Sequence, residues 1–95
     1  MKIVAMYDLD EFAKITGIIT ISVQTALFYP GYNDVIYVDD EYIESLYERY
    51  NRDASRCSDI TKEILRDRKN TLDEILLKMD SGVIPRQFIL RAWFV

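Results

Sequence analysis

Two acidic groups are the residues whose types and spacing could do chemistry. Asp8 and Asp10 stand at the end of the apolar run KIVAMY, and paired carboxylates at a strand end can hold Mg²⁺ and orient a phosphate. Asp39, Asp40 and Glu41 follow a second β-compatible run, VIYV, and with Asp34 they could gather a divalent cation or a basic partner. Their spacing lacks the alternation and the glycine of a calcium-binding loop. Both groups also have a plain use in folding. An Asp just ahead of an amphipathic run caps a helix, and acids in the first turn oppose the helix dipole. Asp8 and Asp10 therefore read first as a cap and a first-turn acid, and no metal or cofactor is expected.

Other chemistries are excluded by composition. The chain has 0 His, which removes imidazole acid–base catalysis, Ser/His and Cys/His couples, and His-ligated metals. Cys57 is the single thiol, so no intramolecular disulfide or Cys cluster can form, and a reducing, cytoplasmic setting is expected. Its adjacent cation, Arg56, lowers a thiol pKa only modestly, so Cys57 reads as a small half-buried filler. The longest apolar-looking stretch, 17–29, is interrupted by Thr20, Ser22, Gln24 and Thr25, and no membrane segment is expected.

Charge is unevenly distributed. The net charge is −4, yet residues 1–48 hold two cations against nine acids, a net of −7, while residues 49–95 hold ten cations against seven acids, a net of +3. All seven tyrosines lie at or before Tyr50. An acidic, Tyr-rich half joined to a mildly basic half is the most informative feature of the chain.

The elements that must position these residues follow from periodicity. With 95 residues, the chain supports a single domain, 1–95. Residues 2–7 read as a strand, and Asp8-x-x-Glu11 is a capping box for a helix over 9–16 that Gly17 ends. Residues 18–29 (IITISVQTALFY) are β-branched and alternate with period two, which predicts a strand; Pro30 to Asp34 turns into a second strand, 35–38, making an antiparallel hairpin. Asp39 or Asp40 caps a helix whose buried face is Ile43, Leu46, Tyr47 and Tyr50, with Glu41, Glu44, Glu48 and Arg52 outside. Ser58 or Asp59 starts the next helix, and the second capping box, Thr71-Leu72-Asp73-Glu74, leaves open whether 58–80 is one helix or two. FILRAWFV, from Phe88 to Val95, reads as a terminal strand. The expected fold is α+β, a small antiparallel sheet in β-α-β-β-α-α-β order with helices packed on one face.

Several partial resemblances bear on function. The strand-end Tyr7-Asp8-x-Asp10 resembles the aspartates of haloacid-dehalogenase-like phosphatases and, with the element order, small ferredoxin-like CRISPR-associated nucleases. Either resemblance implies a small metal-dependent phosphoryl-transfer enzyme using Asp8 and Asp10. Separately, Tyr7-x-Leu9-x-x-Phe12-Ala13-Lys14-x-Thr16-Gly17, then Ser22-Val23-x-Thr25, Gly31, Tyr37 and Asp40-x-x-Ile43-x-x-Leu46 resemble the MerR/excisionase winged-helix module. That resemblance implies a DNA-binding regulator whose recognition helix begins at Ser22. It departs from the family in placing Ile18, Thr20 and two further isoleucines between Gly17 and Ser22, and residues 22–29 carry no Lys or Arg.

A half-chain at −7 opposes DNA binding, because cations supply most non-specific affinity for phosphates. The leading expectation is a non-enzymatic interaction protein that offers Asp34, Tyr37, Asp39, Asp40, Glu41, Glu44 and Glu48 to a basic site on another protein, one that normally holds nucleic acid. In size and charge it is similar to phage inhibitors of the anti-CRISPR and anti-restriction type. The run from Phe88 to Val95 is apolar on both alternating faces apart from Arg91, which predicts either a central strand or an edge that pairs in a homodimer.

Overall fold

The computed structural model describes residues 4–28 and 35–92. In chain order the elements are β1 (Ala5–Asp8), α1 (Leu9–Thr16), α2 (Thr20–Leu27), β2 (Val35–Val38), α3 (Asp40–Ala54), α4 (Asp59–Asp80) and β3 (Phe88–Arg91). This is a small α+β domain, and its sheet is mixed: the order is β1-β3-β2, with β1 parallel and β2 antiparallel to the central β3.

The start of the chain folds as its capping signals dictate. The Asp8 carboxylate accepts the Glu11 N–H at 2.8 Å, and the Glu11 carboxylate accepts the Asp8 N–H in return. α1 ends at Gly17, whose φ of 74° is the left-handed conformation that glycine adopts without steric cost.

The expected strand over 18–29 is instead a helix, α2, and the hairpin it was to form with 35–38 does not exist. The reason lies in which residues are buried. Val23, Ala26 and Leu27, spaced i, i+3, i+4, are fully buried, whereas Ile19 and Ile21 on the supposed inner face are 70% and 61% exposed. β-propensity yields to the helical burial pattern, since packing outweighs a preference that spans only about 1 kcal/mol. Tyrosines of α3 hold the end of this helix: Tyr42 donates to the Leu27 carbonyl and Tyr50 to the Ala26 carbonyl. Both carbonyls lie in the last turn, where no intrahelical donor is available. The turn 30–34 lies outside the described residues.

α4 is one unbroken helix. Thr71 does not cap a new segment; its hydroxyl donates to the Asp67 carbonyl one turn back, and its side chain sits at the buried edge of the core. Ser58 caps α4, accepting the Thr61 N–H, and Asp39 caps α3, accepting the Tyr42 N–H at 2.8 Å.

The core gathers side chains from the sheet and from the helices. Ile36, Val38, Phe88 and Leu90 point inward and are buried, while Val35, Tyr37 and Met6 are exposed on the opposite side. Phe12 stacks on Phe88 with ring centroids 5.1 Å apart, and Tyr7 meets both rings edge-on. α1 and α3 contact the sheet, while α2 packs on α1 and α4, and α4 on α3. The expected wholly antiparallel sheet is thus corrected twice, by a parallel β1 and by the loss of 18–29 to helix. Of the two settings expected for the C-terminal run, Phe88–Arg91 occupies the central one; Trp93 to Val95 lie outside the described residues.

Candidate functional site: an acidic ledge on α3

β2 delivers the chain to the site. Its alternation turns Tyr37 outward, and the next residue but one, Asp39, ends the strand and caps α3. Asp40 and Glu41 then occupy the exposed first turn, favoured there by the helix dipole. Glu44 and Glu48 continue along the solvent side of the same helix, opposite the buried Ile43, Leu46 and Tyr50. At 1.5 Å of rise per residue, Glu41, Glu44 and Glu48 make an acidic stripe about 10 Å long.

A second segment closes one end of the stripe. The Arg86 guanidinium reaches both oxygens of Asp40, through Nη2 at 3.1 Å and Nε at 3.4 Å, and also Asp80 through Nη1 at 2.6 Å. Hydrogen bonds to Asp80 and then to Asp40 raise the Arg86 pKa further above its ordinary value, so the cation is permanent. Beside it, the Tyr37 hydroxyl donates to Gln87 Oε1 at 3.0 Å. Asp39, Asp40, Glu41, Arg86 and Gln87 line a shallow depression of about 310 Å³.

The structure thus brings Asp39, Asp40 and Glu41 to one depression, with Tyr37 beside it through Gln87 and Glu44 and Glu48 leading away from it; Asp34 lies outside the described residues. Two of these acids are already engaged, Asp39 as a cap and Asp40 with Arg86. Glu41, Glu44 and Glu48 are exposed and have no ion-pair partner among the described residues. Arg86, Gln87 and Asp80 were not legible as parts of the site. Asp80 is the last residue of α4, Arg86 and Gln87 follow Pro85, and nothing in their spacing points to Asp40.

The expected Tyr-rich character of this surface is reduced. Tyr7 belongs to the ring cluster, Tyr50 is fully buried, and Tyr42 is half-buried. Burial raises the Tyr42 pKa, with Arg49 opposing. Tyr47 donates to Asp73 across to α4, and burial, followed by that hydrogen bond and the Asp73 charge, raises its pKa strongly. Among the described tyrosines, Tyr37 alone is exposed.

The other sequence candidates have structural placements. Asp8 is committed to its capping box, and Asp10 is an exposed first-turn acid. Among the described residues no group of three or more metal-ligating side chains is gathered. Cys57 is half-buried against the core with its sulfur 3.6 Å from the Ala54 carbonyl. α1, the turn at 17–19 and α2 form a helix–turn–helix, but α2 carries no cation. Among the described residues, no helix is long and apolar enough to cross a membrane. Set against protein-family models, curated proteins and solved structures, the chain matches none.

Proposed function

We propose that the protein is a non-enzymatic interaction module that binds a basic site on another protein through the ledge of α3. One observation carries this reading: Glu41, Glu44 and Glu48 form an exposed stripe with no ion-pair partner among the described residues, continuous with an acidic depression flanked by Tyr37. Unpaired carboxylates in a row raise the free energy of the isolated domain and lower it when a cationic surface arrives. Their rises of about 4.5 and 6 Å along the helix are wider than the about 3.4 Å per phosphate of a nucleic-acid strand, so the row resembles such a strand in its sign and linear order rather than in its charge density. The basic partner is therefore a protein that normally holds nucleic acid, and the role is that of a phage-type inhibitor acting in the cytoplasm.

A second reading, a helix–turn–helix DNA-binding regulator, has one specific observation in its favour: residues 20–27 are helical after the Thr16-Gly17 turn, as the MerR/excisionase resemblance implies. Against it, the exposed side of that helix presents Ile21 and Thr25 where phosphates require cations. Self-association through residues 88–95 would use the open sheet face, where Met6, Ile89 and Tyr37 stand in register, since β3 is hydrogen-bonded along both edges.

The test is a tagged pull-down from the source cell with mass-spectrometric identification. The wild type is compared with Glu41→Gln, Glu44→Gln, Glu48→Gln combined. The expected result is a partner with a basic surface, captured at low salt and lost with the triple variant. Duplex DNA retarded in a gel at low salt, with no such partner, would favour the regulator instead.

A further inference from the structure

The basic half of the chain builds a site of its own. A cleft of about 390 Å³ lies between the last turn of α3 and the first half of α4, floored by the buried Leu65. Lys62, Arg66 and Lys69 line it at i, i+4, i+7 spacing, which places all three on one side of α4, and no carboxylate is among the lining residues. Lys62 and Arg66 are exposed and have no ion-pair partner among the described residues. Lys69 Nζ donates to Asn51 Oδ1 at 2.6 Å across the cleft. With its oxygen so engaged, the Asn51 amide has its N–H₂ left as a donor group. Three of the lining side chains are cationic and none is anionic.

A helix C-terminus ordinarily repels anions through its free carbonyls. Here those carbonyls are occupied. Asn51 and Arg52 carbonyls accept the Ser55 N–H, and the Asp53 carbonyl accepts the Arg56 N–H. The Ser55 hydroxyl donates again to Arg52, and the Cys57 thiol donates to Ala54. The last carbonyls of α3 thus have donors of their own, and the negative end of the helix is set against the three cations of α4.

We propose that this cleft binds the diphosphate group of a small anion, of the inorganic pyrophosphate or nucleotide polyphosphate class. Charge-assisted hydrogen bonds from Lys62, Arg66 and Lys69, with Asn51 as a neutral donor, match an acceptor-only ligand bearing several oxygens. No aromatic ring lines the cleft, so recognition stops at the phosphates. This site is independent of the acidic ledge.

The experiment titrates inorganic pyrophosphate into the full chain at low ionic strength and follows backbone amide shifts by NMR. Saturable shifts confined to residues 51–69 are expected, with a dissociation constant on the order of 0.1–1 mM, as suits an exposed site. Lys62→Ala with Arg66→Ala should weaken binding about tenfold or more. Both residues are exposed, so the double variant should keep the wild-type melting temperature. Three results would overturn the proposal: shifts spread over all cations without saturation, unchanged affinity in the double variant, or a single-stranded oligonucleotide bound far more tightly than pyrophosphate with a steep salt dependence.

Discussion

Replacing Tyr50 by Phe isolates one hydroxyl at the point where α3 holds α2. Tyr50 is 0% exposed, and its hydroxyl donates to the carbonyl of Ala26, itself 0% exposed. The ring stays, so no cavity opens. What is lost is the hydrogen bond to Ala26 with its long arm of 3.5 Å to the Thr25 carbonyl, and what is left is a buried acceptor in the last helical turn. A typical net hydrogen bond contributes about 1 kcal/mol and an orphaned buried group costs about 1–3, so the expected loss is about 2 kcal/mol. For a domain of this size that lowers the melting temperature by about 8–16 °C. Urea denaturation should show the same loss as a lower midpoint with an unchanged slope. Tyr37→Phe, which removes an exposed hydroxyl, is the control and should change stability by under about 0.5 kcal/mol. A Tyr50→Phe protein within about 0.5 kcal/mol of wild type would refute the claim that α2 is fastened by tyrosines of α3.

Asp8→Ala removes half of a reciprocal capping box and should cost about 1 kcal/mol, read by thermal melting followed by circular dichroism. Gly17→Ala meets no atom within 4 Å, so its cost is purely that of a left-handed backbone, about 1–2 kcal/mol in the same assay. Tyr42 and Tyr47 have pKa values raised by burial, so the folded state holds these protons more tightly than the unfolded chain. Their contribution is complete below the ordinary tyrosine pKa of about 10 and is lost as pH rises above it. Denaturant midpoints measured across alkaline pH should therefore fall from about pH 10 upward, and fall less in Tyr47→Phe.

Capping chemistry was the legible part of the fold. Asp8, Gly17, Asp39 and Ser58 mark helix boundaries because each acts within one turn of its own position. Residues 18–29 were misleading for the opposite reason. Their helical face depends on Val23, Ala26 and Leu27 meeting other elements and on hydroxyls from Tyr42 and Tyr50, about one to two dozen residues away. The parallel pairing of β1 with β3 joins the two ends of the chain, beyond the reach of a local pattern. On the site, the carboxylate stripe was legible because helical spacing alone sets Glu41, Glu44 and Glu48 on one side. The engagement of Asp40 by Arg86 was not, since it depends on a loop 46 residues distant.

That division decides how the ledge is best tested. Asp39 and Asp40 have side-chain partners that hold the fold, so neutralising them confounds binding with folding; Glu41, Glu44 and Glu48 have no ion-pair partner among the described residues, and Glu41 contributes only a first-turn dipole interaction. The direct measurement is the association rate of the captured partner with wild type and with the triple Gln variant, across a range of ionic strength. The ledge predicts an association rate at least about tenfold lower in the variant at low salt, with a flattened salt dependence and an unchanged melt. Equal rates with equal salt dependence in a folded variant would contradict it.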